Sequence, residues 1–376
     1  MTSPGPDDPA TGRPAPAVVL PYPAAPGAPL ERGHLLATIE AGGPQPASLH
    51  RLVAGRLEPV WQGPLAALPP QPATPVAEPL LLRIAVDPRS HAPGPVAPPG
   101  PLAACPLDGC RVVVTRTLAD SLPTALALAT QGAEAVILPC LELAPPADPA
   151  LLEGQLAQAA TRYDDLLVTS PHGALALAAA ADALGRRLPD LLGPLRVAAV
   201  GPQTAQTLRT LGLTVGLVAD EASGEGLATC LLEGGGGPRR ALLPRAAVGG
   251  EALPRRLRRA GWEVVEVAAY ETRTPAAGSL EPVATWLEEV GADVLLFASP
   301  SAVRGLRTLL GPARAERLAQ GAQRGAIGPV TAAALHDLGW EPQLLPRCYT
   351  IEALLAELIE SRQLSAGGLP RPPAGA

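Results

Sequence analysis

The chain has 376 residues, room for two or three domains of ordinary size, and a net charge of −6 with a pI near 5.5, an acidic balance that argues against a general nucleic-acid binder. All 29 basic side chains are Arg; without Lys there is no Schiff-base or phosphate-loop lysine, which excludes pyridoxal-phosphate chemistry and Walker-type nucleotide hydrolysis. Aromatics make up only 2%, so the core must be built from Ala, Leu and Val.

Residues 1–105 hold 24 of the 47 prolines, and "APGPVAPPGP" at 92–101 suits neither a regular helix nor a central strand. Within this Pro-rich N-terminal extension, "HLLATIEA" (34–41) and "EPLLLRIAVDP" (78–88) read as short strands and "SLHRLVAGRL" (48–57) as a helix. The expectation is a loosely ordered extension or small appended module that ends near 105. No basic stretch leads into an apolar run at the N-terminus, and no segment offers about 20 uninterrupted apolar residues. The five cysteines (Cys105, Cys110, Cys140, Cys230 and Cys348) form no CxxC and no Cys/His cluster. Such an odd, scattered set suits a reducing compartment and speaks against structural zinc. A soluble cytoplasmic protein without a metal site is expected.

Beyond 105 the pattern changes to alternating strands and helices. "CRVVVTR" (110–116) is a strand with a polar tip, followed by the helical "SLPTALALATQG" (121–132) and the strand "EAVILPCLEL" (134–143). "DDLLVTS" (164–170) precedes the helical "PHGALALAAAADALG", and "RVAAVG" (196–201) precedes "PQTAQTLRTLG". Short apolar strands alternating with helices predict parallel sheets covered on both faces.

The same units then return. "DDLLVTSP" reappears as "DVLLFASP" (293–300), "AVGPQTAQTLRTLG" (199–212) as "AIGPVTAAALHDLG" (326–339), and the strand tip Arg116 as Arg245 of "ALLPR". Gly132 matches Gly261, and the offset is 127 to 129 residues throughout. Residues 110–361 are therefore a tandem of two similar halves, each with a strand-Arg, a strand-Ser-Pro and a strand-Gly-Pro-x-Thr-helix unit. Two copies are too few for a solenoid; two related α/β lobes facing one ligand are the physical reading.

Taken in order, "VVVTRT", "DDLLVTSPHGA", "AVGPQTAQTL", "VAAYETR", "VLLFASPSAV" and "AIGPVTAAAL" resemble the uroporphyrinogen-III synthase family over about residues 110–361, leaving 1–105 uncovered. The resemblance implies two Rossmann-like or flavodoxin-like lobes joined by a two-stranded antiparallel ladder. Lobe 1 would be 106–143 plus 273–361 and lobe 2 would be 144–268, with a flexible tail at 362–376. It further implies cyclisation of the linear tetrapyrrole hydroxymethylbilane, with inversion of its last ring through a spiro intermediate, to uroporphyrinogen III. The reaction needs no metal or organic cofactor, and the protein is expected to act as a monomer. Two other readings stay open: a non-catalytic two-lobed ligand-binding or regulatory protein, and a nucleotide- or sugar-phosphate-binding enzyme. The last lacks a G-x-G-x-x-G with a suitably placed acid.

A substrate with carboxylates on every ring calls for anion-binding positions spread over a wide surface. Helix N-termini supply them, and the repeated turns place four at strand ends, after Ser170, Gly201, Ser299 and Gly328. Pro171, Pro202, Pro300 and Pro329 suit first-turn positions. Arg116 and Arg245, with the neighbouring Thr115, are carboxylate-binding candidates at strand tips. Thr204 and Thr331 act either as local caps or as substrate contacts; Ser170, Ser299 and the following Ser301 can both cap and contact. His172 reads as a cleft-rim polar residue rather than a base. Tyr270 matches Leu141 in the other copy, so its hydroxyl is not required by the shared architecture. In the family motif a Tyr at this point faces the cleft and is a candidate acid for hydroxyl loss, a task open to a phenol protonated at neutral pH. Glu142 and Glu271 read as structural, and the arginines of "PRRLRRAG" (254–261) as a solvated helix face.

Overall fold

The computed structural model describes residues 16–22, 46–53, 56–64, 80–85, 105–235, 237–276 and 280–366. It divides into two compact units, residues 1–142 with 274–376 and residues 143–273. The described strands are, in chain order, β1 (Ala17–Tyr22), β2 (Pro46–Val53), β3 (Arg56–Pro64), β4 (Leu80–Ala85), β5 (Arg111–Val114), β6 (Glu134–Ile137) and β7 (Glu142–Ala144). They continue with β8 (Asp165–Val168), β9 (Arg196–Ala199), β10 (Val215–Val218), β11 (Arg240–Ala246), β12 (Glu263–Arg273), β13 (Val294–Phe297) and β14 (Gln323–Ala326). The fold is α/β with two sheets of mostly parallel strands. The apolar run at 134–143 is two strands, β6 and β7, separated by residues 138–141.

The strands of 143–273 lie in the order β10-β9-β8-β11-β12-β7. The chain runs outward from β8 through β9 to β10, then returns to place β11 on the other side of β8. The order therefore reverses between β8 and β11, and ligands of open α/β sheets bind outside the carboxyl ends of strands at such a point. The larger sheet reads β14-β13-β5-β6-β1-β4-β2-β3. Its segment β14-β13-β5-β6 repeats β9-β8-β11-β12 strand for strand, so the sequence duplication is a duplication of sheet order.

Why these runs are strands shows in how their side chains part. Leu166 and Val168 of β8 join a core with Leu177, Leu208 and Leu242, while Leu167 joins Leu227, Leu243 and Leu257 on the opposite face. In the other unit Val112 and Val114 pack with Leu122, Ile137 and Leu358, and Val113 packs with Leu287, Phe297 and Leu306. Successive residues of a strand point to opposite faces, so a strand covered on both sides is apolar at every position.

The N-terminal strands extend the same sheet. β1 pairs in parallel with β6, Val18 opposite Ala135, and antiparallel with β4, Val18 opposite Ile84. Val18, Leu20, Leu82 and Ile84 are buried in one core with Leu122, Leu128 and Ile137. Of residues 48–57, expected to be helical, 48–53 fall in β2 and 56–57 in β3, which pair antiparallel from Pro46↔Pro64 to Val53↔Arg56. Leu49, Leu52, Val53 and Leu57 have helical spacing, but the ladder offered by β4 overrides that local preference. Pro59 is tolerated because β3 is the outermost strand. The strand expected at 34–41 lies outside the described residues. The last helix runs Ile351–Ala366, past the expected end at 361, and the rest of the tail lies outside the described residues. No helix among the described residues is long and apolar enough to cross a membrane.

Candidate functional site

Each repeated turn becomes a helix start at the carboxyl end of a strand. Ser170 follows β8 with extended backbone, and its Oγ accepts the Gly173 N–H at 3.0 Å. Ser299 after β13 does the same for Ala302 at 3.2 Å. Pro171, Pro202, Pro300 and Pro329 each open their helix, where a missing N–H costs nothing. The Gly-Pro starts differ from the Ser-Pro starts. Gly201 and Gly328 have extended backbones and no side-chain cap. A Cβ at Gly201 would lie 3.0 Å from the Ala222 Cβ, closer than side chains ordinarily pack, so glycine suits this turn. Thr204 and Thr331 are each only 3% exposed. Both lie in the first turn of their helices, after Gly201 and Gly328.

In 143–273, a pocket of about 390 Å³ opens where the strand order reverses, lined among others by Ser170, Val200, Ser223, Arg245 and Tyr270. Tyr270 owes its place to a bulge. β11 and β12 pair Arg245 with Ala268 but Ala246 with Tyr270, leaving Ala269 as the extra residue. Ala269 and Tyr270 thus both reach the same core cluster, which strict alternation would forbid. The Tyr270 hydroxyl lies 3.1 Å from Ser170 Oγ. The His172 ring stands edge-on to the Tyr270 ring, centroids 5.9 Å apart. Ser170 thereby links a helix N-terminus to a phenol at the pocket wall.

Arg245 is buried and already engaged. Its guanidinium donates to Glu266 and, at 2.7 Å, to the Gly250 carbonyl, while Glu266 also holds Arg258 at 2.8 Å. Gly249 leaves the room this needs, since a Cβ there would lie 2.2 Å from Arg245 Nη2. Arg245 therefore shapes the loop over the pocket, its charge balanced by Glu266. Arg256 reaches Glu225 and Arg258 reaches Glu266, so this helix face is laced with ion pairs rather than merely solvated. Glu271 accepts the Ala147 N–H at 2.9 Å, a structural contact.

The other unit carries Thr115, Arg116, Ser299, Ser301, Gly328 and Thr331. Thr115 is fully buried and donates its hydroxyl to the Leu296 carbonyl at 2.7 Å, which leaves it no donor for a ligand. Arg116 is held loosely, 3.8 Å from Asp120, and remains partly exposed. Ser301 is exposed. Leu141, the counterpart of Tyr270, packs on the core instead.

The strand-tip, Ser-Pro and Gly-Pro signals did not reach Ser223, Gly224, Gly249 and Gly250, which also line the pocket. A further match at the same 127-residue offset was available for the first two: "ASGEGLATCLLE" (222–233) against "YTIEALLAELIE" (349–360). Ser223 caps its helix through Gly226 N–H at 2.9 Å, and Thr350 does so through Ala353 N–H at 3.2 Å.

A profile of the family described as uroporphyrinogen-III synthase HemD matches residues 123–356, more than half of the chain. The uroporphyrinogen-III synthase of Synechococcus elongatus is 29% identical over 259 residues, covering 68% of this chain and 96% of the relative. That of Chlorobaculum parvum is 26% identical over 241 residues, covering 63% and 93%. Among solved structures, uroporphyrinogen-III synthetase from Helicobacter pylori aligns with 67% of this chain and 99% of its own, at 18% identity and a TM-score of 0.47.

Proposed function

The chain belongs to the uroporphyrinogen-III synthase family, and from that premise we propose that it cyclises hydroxymethylbilane to uroporphyrinogen III with the Ser170–Tyr270 pair at the reacting end. The observation that carries this is the 3.1 Å contact between the two hydroxyls at the wall of the pocket. Ser170 Oγ already accepts a helix N-terminal N–H. When Ser170 donates its own hydrogen to Tyr270, the phenolic proton is left to point into the pocket. Tyr270 then protonates the departing hydroxyl: the C–O bond breaks, water leaves, and the adjacent pyrrole nitrogen supplies the electron pair that forms the azafulvenium cation; its N–H proton then passes to the tyrosinate, giving the neutral azafulvene. Ring closure follows from holding the chain folded so that this electrophile meets its nucleophile.

Carboxylate binding falls to the uncapped helix starts at Gly201 and Gly328. There free N–H groups and the positive end of the helix dipole meet an anion without a competing side chain. The hydroxyls of Thr204 and Thr331 stand in those same first turns. The pocket at Tyr270 has room for one end of a linear tetrapyrrole rather than the whole, which fits a substrate bound at several separate places. The same reading makes the protein a cytoplasmic monomer with a small-molecule substrate and no nucleic-acid partner, in keeping with its acidic charge and free cysteines. The test is product identity. Incubation with enzymatically generated hydroxymethylbilane, oxidation and separation of isomers should give type III; type I alone, the spontaneous product, would overturn the reading.

A further inference from the structure

We infer that Tyr349 is a positioning residue for the substrate, its ring forming an apolar platform on which one pyrrole of the bilane lies; this rests on the synthase reading above. In both copies of the repeat, the residue 21 positions after the Gly of the Gly-Pro turn closes over that glycine. A Cβ on Gly201 would meet the Ala222 Cβ at 3.0 Å, and a Cβ on Gly328 would meet Cγ and Cδ1 of Tyr349 at 3.1 Å. The Tyr349 ring therefore rests on the backbone at the start of the helix Pro329–His336. The shared frame asks for no more than a methyl group there, as Ala222 shows. The ring is an addition to the architecture, as the Tyr270 phenol is where the other copy has Leu141.

Its exposure makes the addition informative. In a chain with nine aromatic residues, Tyr163, Trp262, Trp286, Phe297 and Trp340 are buried at 6% exposure or less. Tyr270 is half-buried, and Tyr349 is 62% exposed. Both stand beside a repeated turn. Val330, two residues after Gly328, is 71% exposed and adds a second apolar surface at the same turn. A pyrrole presents flat apolar faces with its carboxylates at the rim. An exposed aromatic lying against a helix start offers a matching surface: a face for the ring, with backbone N–H groups beside it for a rim carboxylate.

The experiment compares wild type, Tyr349→Ala and Tyr349→Phe by steady-state kinetics on hydroxymethylbilane and by fluorescence titration with uroporphyrin III. Tyr349→Ala should raise KM and weaken uroporphyrin binding by about five- to tenfold, with kcat within about twofold and the unfolding midpoint unchanged. Tyr349→Phe, which keeps the ring, should behave as wild type. Wild-type KM and wild-type uroporphyrin affinity in Tyr349→Ala would overturn the inference. So would a loss of kcat alone, or an equal loss in Tyr349→Phe. If wild type yields only type I product, the synthase reading falls, and the titration still decides whether Tyr349 holds a tetrapyrrole.

Discussion

The hydroxyls of Ser170 and Tyr270 stand 3.1 Å apart although a hundred residues separate them in the chain. Ser170 is put there by the turn that ends β8, and Tyr270 by the extra residue in β12. Neither placement depends on the other. Their meeting at the point where the strand order reverses is what the proposed reaction uses as a proton-donating pair.

The hydrogen bond predicts graded effects on rate. Tyr270→Phe keeps the ring and removes the proton, and should lower kcat by roughly a hundredfold with the fold intact. Ser170→Ala leaves the phenol in place and removes its partner and the helix cap. It should cost a smaller factor in kcat and about 1 kcal/mol of stability, read from initial rates and urea unfolding.

The repeat contains its own control for a buried ion pair. Arg111 and Glu134 at the feet of β5 and β6 correspond to Arg240 and Glu263 at the feet of β11 and β12. The first pair is buried, at 2.6 Å, with the guanidinium also over the Trp286 ring. The second is exposed, at 2.7 Å. Arg111→Met should destabilise the protein by about 3–5 kcal/mol, because it leaves a carboxylate in the core. Arg240→Met should leave the unfolding midpoint where it is, since water takes over from the lost partner.

Much of this frame is legible in the sequence. The Ser-Pro and Gly-Pro turns at an offset of 127 to 129 residues fixed which helices start at strand ends, and the structure puts each where that pattern implies. Hydrophobic patterning could not show that Thr115 spends its hydroxyl on Leu296, or that Glu266 and the glycine pair at 249–250 engage Arg245. Those contacts are set by packing between distant segments. The strand expected at 78–88 forms as β4, whereas 48–57 do not form the expected helix, for a related reason. The 49/52/53/57 spacing of β2 and β3 suits a helix in isolation, and only the open side of β6, extended by β1 and β4, makes it a ladder.

That N-terminal addition is open to a direct check. Ile84 is fully buried in the core that holds Leu122 and Ile137. Ile84→Ala should therefore cost about 2–5 kcal/mol, seen as a lowered unfolding midpoint. An unchanged midpoint would mean that the segment is a detached appendage.

A pH effect follows from Cys110. Burial is the main reason its thiol is pushed up from 9.0 to about 11. Between those values the unfolded chain releases a proton that the folded chain keeps. Its contribution is therefore complete below the ordinary thiol range and declines as pH rises toward 11, by about 2–3 kcal/mol in all. Urea unfolding of wild type and Cys110→Ala at about pH 8 and about pH 10.5 should show wild type losing more stability than the variant. Parallel losses would contradict the assignment.

The most direct test of the central claim is the isomer composition and initial rate of product from hydroxymethylbilane, measured side by side for wild type and Tyr270→Phe. The account predicts type III from wild type and a much slower approach to type III in the variant, with type I accumulating as the uncatalysed closure competes. Type I alone from wild type, or equal rates of type III from both proteins, would contradict it.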